Sequence, residues 1–370
     1  MPVSIVHIIT LLLAFCVVLY AGASVFLWIG GLKRRPLAGA DMPFVSVIVP
    51  ARNEVNTIAS CLKALAVQDY PHDRWELIVV DDRSEDGTGG IVAALIPMLP
   101  FPVTILRMNE VPPGRSPKKH GIATAIAQAR GDVIMTTDAD CRPEPRWLSS
   151  MIRALGDRDL VAGYAPYDQR GSLAGQLIAI EALSQGYQGL AGIRIGWPIT
   201  CAGRSFGYRR EVFEKAGGFG SANTMLSGDD NLFLQRAVSK GFRTAYCEER
   251  DSAVWTDPPE TWREFSNQRT RMLSGARNLS MSVLALGIVV WSVLFLMLAG
   301  MIAGYWWAWA AFGVKFVADF VSMSIAATRF REWRVMWTFP IAELLYLPYY
   351  LYFGFRGTFG SYQWKGARGH

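Results

Sequence analysis

An uncharged apolar run near the start of the chain limits its fold more than any other feature. Residues 5–29 contain no Asp, Glu, Lys or Arg. At about 1.5 Å per residue, a helix of this length reaches across the hydrocarbon core of a bilayer. The basic residues 33–35 follow the run, and the positive-inside tendency predicts that the chain after them lies in the cytoplasm. We therefore predict a transmembrane anchor over residues 1–35.

A cleaved signal peptide is the alternative interpretation of this segment. Residues 21–23, Ala-Gly-Ala, have the small side chains of a cleavage site. However, no basic residue precedes the apolar run, and the run continues past these residues through Trp28. These two features favour an anchor that is retained.

The C-terminal part of the chain repeats the apolar pattern. Three apolar runs occupy residues 283–303, 306–327 and 337–355, and a basic loop at residues 329–334 separates the last two. We predict two spans and a third spanning or re-entrant segment within residues 281–357, followed by a basic tail over residues 358–370. The third run is ambiguous because Pro340 and Pro348 would kink a helix, and because a full span would place the tail outside.

Three charged residues lie inside these C-terminal runs. Lys315 and Asp319 are four residues apart, the spacing of neighbours on one helix face, and Glu343 lies in the third run. Charged groups within a bilayer are candidates for function. A mutually neutralising pair of Lys315 and Asp319 is the simpler interpretation.

The composition is typical of a membrane protein with a substantial soluble part. The 370 residues are 51% hydrophobic, with a mean hydropathy of +0.20, yet the net charge is +6 and the pI is near 9.1. Most acidic residues lie within residues 41–264, which is long enough for one globular domain. The surplus Lys and Arg stand beside the apolar runs, without a nucleic-acid-binding motif, so membrane headgroups suit them better than nucleic acid. The scattered cysteines and histidines show no zinc-type spacing.

Short apolar runs alternate with helical stretches in the middle of the chain. We predict strands at residues 44–50, 77–80, 103–108 and 132–137, with a helix at residues 57–66 and an Ala-rich helix before the last strand. Such alternation is typical of a parallel α/β sheet. Ligands bind at the carboxyl ends of the strands in sheets of this kind.

The last predicted strand leads into two carboxylates, Asp138 and Asp140. Strand residues alternate between the two faces, so these side chains are expected to point the same way while Ala139 points away. Paired carboxylates offer the hard oxygen ligands that Mg²⁺ or Mn²⁺ prefers when it bridges phosphates. An isolated Asp-x-Asp also occurs in solvated turns, so the surrounding residues must decide.

Other polar side chains follow the second and third predicted strands. Asp81 and Asp82 end the second strand, where a carboxylate can accept a hydrogen bond from a uracil N3–H. Residues 84–88 can equally form a turn that caps a helix. Lys118 and Lys119 follow the third strand, where ammonium groups can meet phosphate, although loop lysines can also be simply solvated.

The order of these motifs resembles that of the membrane-bound family-2 glycosyltransferases, which include ceramide glucosyltransferases and polysaccharide synthases. The resemblance covers residues 44–275. Each element is common, but the ordered set is specific. The elements are residues 47–54 (VIVPARNE), 80–84 (VDDRS), 118–119 (KK), 138–140 (DAD), 203–210, 217–219 (GGF), 227–230 (SGDD) and 268–271 (QRTR).

The resemblance implies a fold and a set of site residues. The fold would be an α/β, GT-A-type nucleotide-sugar-binding domain over residues 41–275, with a mostly parallel sheet, flanked by N-terminal and C-terminal transmembrane helices. Asp230 would be the catalytic base, and Asp138 and Asp140 would hold Mg²⁺ or Mn²⁺, with Asp140 the more direct ligand. The implied nucleotide-binding residues are Pro50, Arg52, Glu54, Asp81, Asp82, Lys118, Lys119 and Asp138. The residues implied for the acceptor and the diphosphate are Asp229, Gln268, Arg269 and Arg271.

The sequence departs from the family pattern at three places. Met272 stands where the Gln-x-x-Arg-Trp element has its tryptophan, so a ring on which a sugar could stack is missing or is supplied by Trp262 or Trp255. Asp229 replaces the more usual Glu before the base, which is a mild chemical change. Residues 204–205, Arg-Ser, replace the small-residue and Asn pair of many relatives, so sugar specificity does not transfer.

The implied activity is inverting transfer of a sugar from a nucleotide-sugar donor, UDP-linked in our interpretation. We expect a membrane lipid as acceptor and an integral membrane protein of the bacterial inner membrane, with its catalytic domain facing the cytoplasm. A chain-elongating polysaccharide synthase is the alternative, which the few apolar runs and Met272 disfavour. A non-catalytic glycan-assembly subunit would be expected to lose a metal carboxylate or the base. A transporter would need more spans than the sequence predicts.

Overall fold

The computed structural model describes residues 5–35, 41–169, 171–226, 228–275, 279–364 and 367–369. Ser227 of the predicted 227–230 motif and Lys365 of the predicted tail lie outside the described residues. The helices are α1 (Ile5–Leu32), α2 (Ile58–Ala66), α3 (Thr88–Leu95), α4 (Pro117–Gln128), α5 (Trp147–Leu155), α6 (Leu173–Arg194), α7 (Arg210–Ala216), α8 (Asn231–Ser239), α9 (Trp262–Ser274), α10 (Met281–Ile302), α11 (Trp306–Phe330) and α12 (Phe339–Phe359). The strands are β1 (Val45–Ala51), β2 (Trp75–Asp82), β3 (Val103–Met108), β4 (Val133–Thr136), β5 (Cys141–Pro143), β6 (Leu160–Gly163), β7 (Phe206–Arg209), β8 (Thr244–Cys247), β9 (Val254–Thr256), β10 (Tyr362–Trp364) and β11 (Ala367–Gly369).

A mixed sheet of seven strands forms the centre of the soluble part, in the order β3-β2-β1-β4-β7-β6-β8. β1 pairs in parallel with β2 on one side and with β4 on the other, and β2 pairs in parallel with β3. β7 is antiparallel to both β4 and β6, whereas β6 and β8 are parallel. The predicted α/β class is confirmed, and the four predicted strands correspond to β1 through β4.

Apolar side chains of β1 point alternately to the two faces of the sheet and contribute to a core on each face. Ile48 faces the core to which α4 contributes Ile122. Val47 faces the opposite core, which contains Leu62 of α2 and Trp147 of α5. Because successive strand residues point to opposite faces, a strand covered on both sides is apolar throughout. The parallel pairing then places the carboxyl ends of β2, β1 and β4 side by side at one edge.

Three helices are long and apolar enough to cross a membrane: Val6–Leu32, Met281–Ile302 and Trp306–Phe330. α1 packs along α11 and also contacts α10 and α6. Trp28 Nε1 donates a hydrogen bond to Ser322 Oγ at 2.8 Å across the contact between α1 and α11. The third predicted C-terminal run forms a helix of 21 residues, α12, which is not one of these three. Its Pro340 lies in the first turn, where proline is tolerated, and Pro348 lies in its interior.

The charged residues of these helices form one cluster. Lys315 Nζ lies 2.6 Å from Asp319 Oδ2, which confirms the predicted pair within α11. The same ammonium group bonds to Glu343 of α12, and Tyr20 of α1 donates to Asp319. The cluster therefore joins three helices, and one positive charge faces two carboxylates.

Candidate active site

The two carboxylates of residues 138–140 lie in a turn, which we call the Asp-Ala-Asp turn. β4 ends at Thr136, one residue before the predicted end of the strand, and residues 139–140 form the turn. The prediction that strand alternation orients Asp138 and Asp140 is therefore wrong. The turn nevertheless brings them together, because carboxylate oxygens of both residues and Cys141 Sγ all lie within 4.8 Å of one another.

Two buried thiols support this turn. Cys61 Sγ donates to the Asp138 carbonyl oxygen at 3.6 Å, and Cys141 Sγ donates to Asp140 Oδ1 at 3.3 Å. Burial, together with the nearby aspartates, raises the pKa of both thiols above the usual value. A protonated thiol is a poor ligand for a hard cation. Within this turn, the two carboxylates are therefore the groups that fit Mg²⁺ or Mn²⁺.

Lys118 connects the Asp-Ala-Asp turn with a second acidic pair. Its Nζ lies 2.8 Å from Asp138 Oδ1 and 2.9 Å from Asp229 Oδ2. Burial disfavours the ionised form of Asp229, but the charge of Lys118 outweighs it and lowers the pKa of that carboxyl below its usual value. The Lys118 ammonium group thus bridges the Asp-Ala-Asp turn and Asp229, the residue that precedes Asp230.

Asp230 lies at the amino end of α8, where two backbone N–H groups hold its carboxylate. Oδ1 accepts from Asn231 N at 2.6 Å, and Oδ2 accepts from Gly203 N at 2.9 Å. A side chain at position 203 would crowd this contact, because a Cβ there would stand 3.0 Å from Oδ2. Burial and the adjacent charge of Asp229 raise the pKa of Asp230 above its usual value. A carboxylate with a raised pKa is well suited to accept a proton.

Lys119 has a different position from that of Lys118. Its side chain is fully buried, and Nζ donates to the carbonyl oxygens of Ala222 and Met225 at 2.7 and 2.9 Å. Burial lowers the pKa of this ammonium group to about 8. These contacts hold the loop that precedes the acidic pair. Lys119 therefore has a structural role here and does not make the predicted phosphate contact.

The loops after β1 and β2 form a second polar group at the same edge of the sheet. Neighbouring strands are about 4.8 Å apart, so the ends of β2 and β4 lie roughly 10 Å from each other with β1 between them. Asp82 is buried and ion-paired with Arg83 at 2.8 Å and with Arg52 at 3.6 Å. Asp81 is half-buried and accepts an N–H from the following turn. Pro50 lies in β1 just before the loop.

Hydrogen bonds join these two loops to each other. Asn53 adopts a positive φ of 53°, which aims its backbone N–H at Ser84 Oγ, 3.1 Å away. The backbone N–H of Glu54 donates to Thr88 Oγ1 at 2.8 Å. Asp86 Oδ1 accepts from the Thr88 N–H at the start of α3, whose cap residue, Gly87, makes no side-chain cap hydrogen bond. These hydrogen bonds support the loop beside Asp81 and Asp82.

α9 carries the Gln-x-x-Arg element and packs against α12. Gln268 and Arg271 are half-buried, and Met272 is 41% exposed. Arg269 is only 2% exposed and forms an ion pair with Glu181 of α6 at 2.7 Å. Its Nη1 also donates to Gln268 Oε1 at 2.7 Å. The position of Arg269 thus indicates a buried structural role, and the predicted diphosphate contact is not accessible to it.

The two tryptophans considered as replacements for the missing ring differ in accessibility. Trp255 Nε1 donates to Glu144 Oε1 at 2.8 Å, and the Arg250 guanidinium lies 5.5 Å from its ring centre. Trp262, at the start of α9, is 67% exposed. Of the two, Trp262 has the ring that an acceptor could contact.

The sequence analysis missed Tyr167, Glu181 and Tyr349, which interact with arginines or with each other near α9. The guanidinium groups of Arg204 and Arg269 lie 4.7 and 5.9 Å from the Tyr167 ring centre, and their charges lower its pKa although burial acts in the opposite direction. Tyr349 of α12 donates to Glu181 at 2.8 Å. Glu181 is the one acidic residue of α6, and its presence among apolar and small residues could have indicated a buried polar contact. Its partners lie 88 and 168 residues away, so the pairing could not be predicted from the sequence.

Two family models match this chain. The model described as glycosyl transferase family 2 matches residues 46–217, and the one described as glycosyl transferase family group 2 matches residues 133–349, more than half of the chain. The chain belongs to the family-2 glycosyltransferases. Both matched regions contain the Asp-Ala-Asp turn, and the second also contains Asp230 and α9 of this glycosyltransferase.

Individual proteins similar to this glycosyltransferase agree with the family. The probable glycosyltransferase YdaM of Bacillus subtilis is 31% identical over 252 residues, which are 66% of this chain and 58% of YdaM. The chain thus spans less than two thirds of the length of YdaM. The beta-monoglucosyldiacylglycerol synthase of Nostoc sp. is 31% identical over 102 residues, 28% of this chain and 21% of that protein.

A solved structure is similar over nearly the whole glycosyltransferase chain. The mannosyltransferase PcManGT from Pyrobaculum calidifontis, in complex with GDP-Man and Mn²⁺, superposes with a TM-score of 0.59 at 21% identity. The match covers 92% of this chain and 99% of PcManGT. The likeness shows a shared GT-A-type fold.

Proposed function

We propose that this glycosyltransferase transfers a sugar, with inversion, from a UDP-linked donor to the hydroxyl group of a membrane lipid. The contact of Lys118 with both Asp138 and Asp229 carries the proposal, because it brings the predicted metal turn next to the predicted base, Asp230. We assign residues 41–275 to the catalytic domain, residues 1–35 and 281–357 to membrane attachment, and residues 358–370 to a tail.

The donor would lie along the carboxyl edge of the sheet. Asp81 and Asp82 would contact the uracil and ribose, and Asp138 and Asp140 would hold a divalent cation on the diphosphate. Such an ion, when bound, neutralises charge on the leaving diphosphate. Lys118 would add a second positive charge at the same place. PcManGT was solved with GDP-Man and Mn²⁺, which supports the use of a divalent ion and leaves a GDP-linked donor as the alternative.

Asp230 would act on the acceptor. Its carboxylate takes the proton of the lipid hydroxyl while that oxygen forms a bond to the anomeric carbon of the sugar. The bond from this carbon to the diphosphate oxygen breaks at the same time, and its electron pair leaves with UDP. Attack opposite the nucleotide inverts the configuration, and the N–H groups of Gly203 and Asn231 keep the base in position.

The surroundings of α9 support a lipid acceptor. Trp262, Met272 and Phe355 are exposed apolar residues on α9 and on α12, which packs against it. These side chains would face acyl chains beside the sugar-transfer site, where Gln268 and Arg271 of the same helix would meet the acceptor and the diphosphate. The name of the Nostoc relative, a beta-monoglucosyldiacylglycerol synthase, supports a lipid acceptor for this chain as well. We place the catalytic domain on the cytoplasmic side of the membrane.

UDP release by the purified protein tests this proposal. With Mn²⁺ and a panel of UDP-sugars, the wild type is expected to release UDP, with GDP-mannose as the comparison donor. Asp140→Ala and Asp230→Asn are expected to abolish release, whereas Asp132→Asn, at an exposed aspartate just before the amino end of β4, is not. If the wild type neither binds UDP with Mn²⁺ nor turns over any donor, the non-catalytic glycan-assembly subunit becomes the better interpretation.

The size of the product distinguishes a lipid acceptor from a growing polysaccharide. A lipid-directed enzyme adds one sugar to a chloroform-extractable lipid, whereas a polysaccharide synthase gives a polymer that grows with time. The exposed Met272 in place of a tryptophan favours single transfer, since a processive enzyme needs a surface on which the growing glycan stays bound. Mass spectrometry of lipids and surface glycans after deletion of the protein would identify the acceptor.

A further inference from the structure

A cavity, which we call the groove, lies where the carboxyl ends of α1 and α11 meet the soluble domain. It is next to the residues that follow β8, the edge strand on the side of the sheet away from β1 and β2. Its volume is about 920 Å³. Cationic side chains outnumber acidic ones in its lining: six arginines against three carboxylates. The arginines are Arg34, Arg35, Arg146, Arg250, Arg329 and Arg331, and the acids are Glu248, Glu249 and Asp251.

One wall of this groove is apolar. Phe320, Val321 and Ile325 of α11 line it, and Phe320 is 45% exposed. Phe320 precedes Arg331 by eleven residues, which corresponds to about 16 Å along a helix. This length is close to half of the ~30 Å hydrocarbon core. The groove therefore passes from an apolar surface, within one leaflet, to a cationic surface at the headgroup level.

Part of the cationic lining is already engaged in structure. Arg35 pairs with Asp157 at 2.7 Å, and Arg250 pairs with the buried Glu332 at 2.6 Å. Arg329 donates to the carbonyl oxygens of residues 31–33 at the end of α1. These contacts hold the two helix ends and the soluble domain together around the groove.

Other polar groups of the lining have no such engagement. Among the ion pairs of the described residues, none includes Arg34 or Arg331, and both side chains are exposed. Ser324 belongs to the lining of the groove, and its Oγ is buried without a hydrogen-bond partner among the described residues. Two exposed guanidinium groups therefore face the groove, next to its apolar wall.

We propose that this groove binds the headgroup of an anionic glycerophospholipid from the adjacent leaflet. The phosphate would accept hydrogen bonds from Arg34 and Arg331, because guanidinium groups match phosphate oxygens in pairs. The acyl chains would follow Phe320 and Val321. The site rests on the proposed membrane placement of α1 and α11 and is independent of the sugar-transfer reaction. A bound lipid would fasten the membrane helices to the catalytic domain.

Lipid retention measured by native mass spectrometry tests this site. The full-length protein would be released from nanodiscs that contain phosphatidylglycerol or phosphatidylcholine. We expect one phosphatidylglycerol retained per chain and little phosphatidylcholine. Arg34→Gln/Arg331→Gln should weaken retention about tenfold or more, since each basic residue near an anionic lipid contributes roughly 1 kcal/mol. Lys63→Gln/Arg74→Gln, which removes two exposed charges that are not part of the groove lining, should retain the lipid as the wild type does.

Further arms separate a lipid from a free anion and from non-specific attraction. Phe320→Ser/Val321→Ser should weaken phosphatidylglycerol retention while leaving the arginines in place, and millimolar inorganic phosphate should not displace the lipid. Equal retention of both lipids, unchanged retention in the arginine variant, or equal loss in the Lys63→Gln/Arg74→Gln control would overturn the proposal. Displacement by inorganic phosphate would overturn it in favour of a free-phosphate site.

Discussion

At the scale of single residues, Asp229 and Asp230 show how one ion pair gives two identical side chains different pKa values. Both are half-buried and adjacent in the chain, but Lys118 contacts Asp229. The pKa of Asp229 is lowered by that charge although burial opposes it, and the pKa of Asp230 is raised by burial and by Asp229. Pairs whose pKa values are driven apart mark acid–base assignments in enzymes. Asp230 is accordingly the member suited to accept a proton.

The pH dependence of transfer tests this assignment. Asp230 must be ionised to accept a proton, so activity falls as the pH drops through its pKa, and the raised pKa places this acidic limb above that of an ordinary aspartate. Asp229→Asn removes a like charge, so the limb of kcat/KM should move to lower pH. Asp132→Asn serves as the control. A limb that stays in place or moves to higher pH would contradict the assignment.

Lys119 gives a prediction about stability. The unfolded chain has a lysine pKa of about 10.4, whereas burial lowers the folded value to about 8. The unfolded state therefore binds more protons between these values, and stability from this group rises with pH over that interval. Relative to Lys119→Met, the wild type should gain thermal stability between pH 7.5 and 9.5. Parallel melting curves of the two proteins over this interval would contradict it.

At the residue level, the sequence predicted proximity where the residues are close together in the chain. Asp138 and Asp140 were found because both follow one strand, although a turn, not strand alternation, brings them together. The burial of Lys119 could not be foreseen, because its partners belong to a loop more than 100 residues later. The roles of the predicted site residues remain predictions until the variants are measured.

At the scale of elements, Glu181 connects three helices. It pairs with Arg269 of α9 and accepts a hydrogen bond from Tyr349 of α12, while it belongs to α6. The pair is almost fully buried. Removing one partner of such a pair leaves an uncompensated charge, whereas replacing both can be nearly neutral.

A double-mutant cycle tests the role of this pair. Arg269→Met alone should destabilise the protein by about 3 kcal/mol or more, because Glu181 stays buried without its cation. Glu181→Gln/Arg269→Met should recover most of the loss, as measured by thermal unfolding in detergent. Arg263→Met, at an exposed position of the same helix, is the matched control. A double variant as unstable as the single one would show that the two residues do not act as a pair.

The sequence predicted the parallel half of the sheet and missed the mixed half. β1 and β2 are runs of seven and eight residues with apolar side chains on both faces, which makes them easy to recognise. β6, β7 and β8 have only four residues each, and their pairing depends on partners that are distant in sequence. Such short strands carry too little periodicity to be distinguished from loops, and β4, which is equally short, was recognised because the two carboxylates follow it.

At the scale of the whole molecule, the soluble domain and the helices form one arrangement. α1 contacts α6 of the soluble part as well as α10 and α11, and α9 packs on α12. The positive-inside tendency then predicts the orientation of the helices in the membrane and, with it, the side on which the soluble domain lies. The basic residues at the end of α1 and those after α11 lie on the same side as the catalytic domain.

Cysteine labelling tests this orientation. Ala127→Cys lies on the exposed end of α4, and Ala303→Cys lies between α10 and α11 at their other ends. A membrane-impermeant maleimide should label the first only in inverted vesicles and the second only in right-side-out cells. Four of the five native cysteines are buried and should react little in either case. The reverse pattern would place the catalytic domain outside.

The cluster in the membrane helices gives a further prediction. Lys315→Met leaves Asp319 and Glu343 without a cation, so we expect lower yield and a lower melting temperature. Lys315→Met/Glu343→Gln removes one of the two stranded charges and should restore part of the loss. A Lys315→Met protein as stable as the wild type would show that the cluster does not hold α11 to α12.

The packing of α1 against α11 has a consequence for how the chain is made. Trp28 and Ser322, which touch across this contact, are 294 residues apart. At a synthesis speed of about 5–20 residues per second, α11 emerges from the ribosome roughly 15–60 seconds after α1. During that delay, lipid or the insertion machinery must shield the polar groups of the first helix until its permanent neighbour arrives.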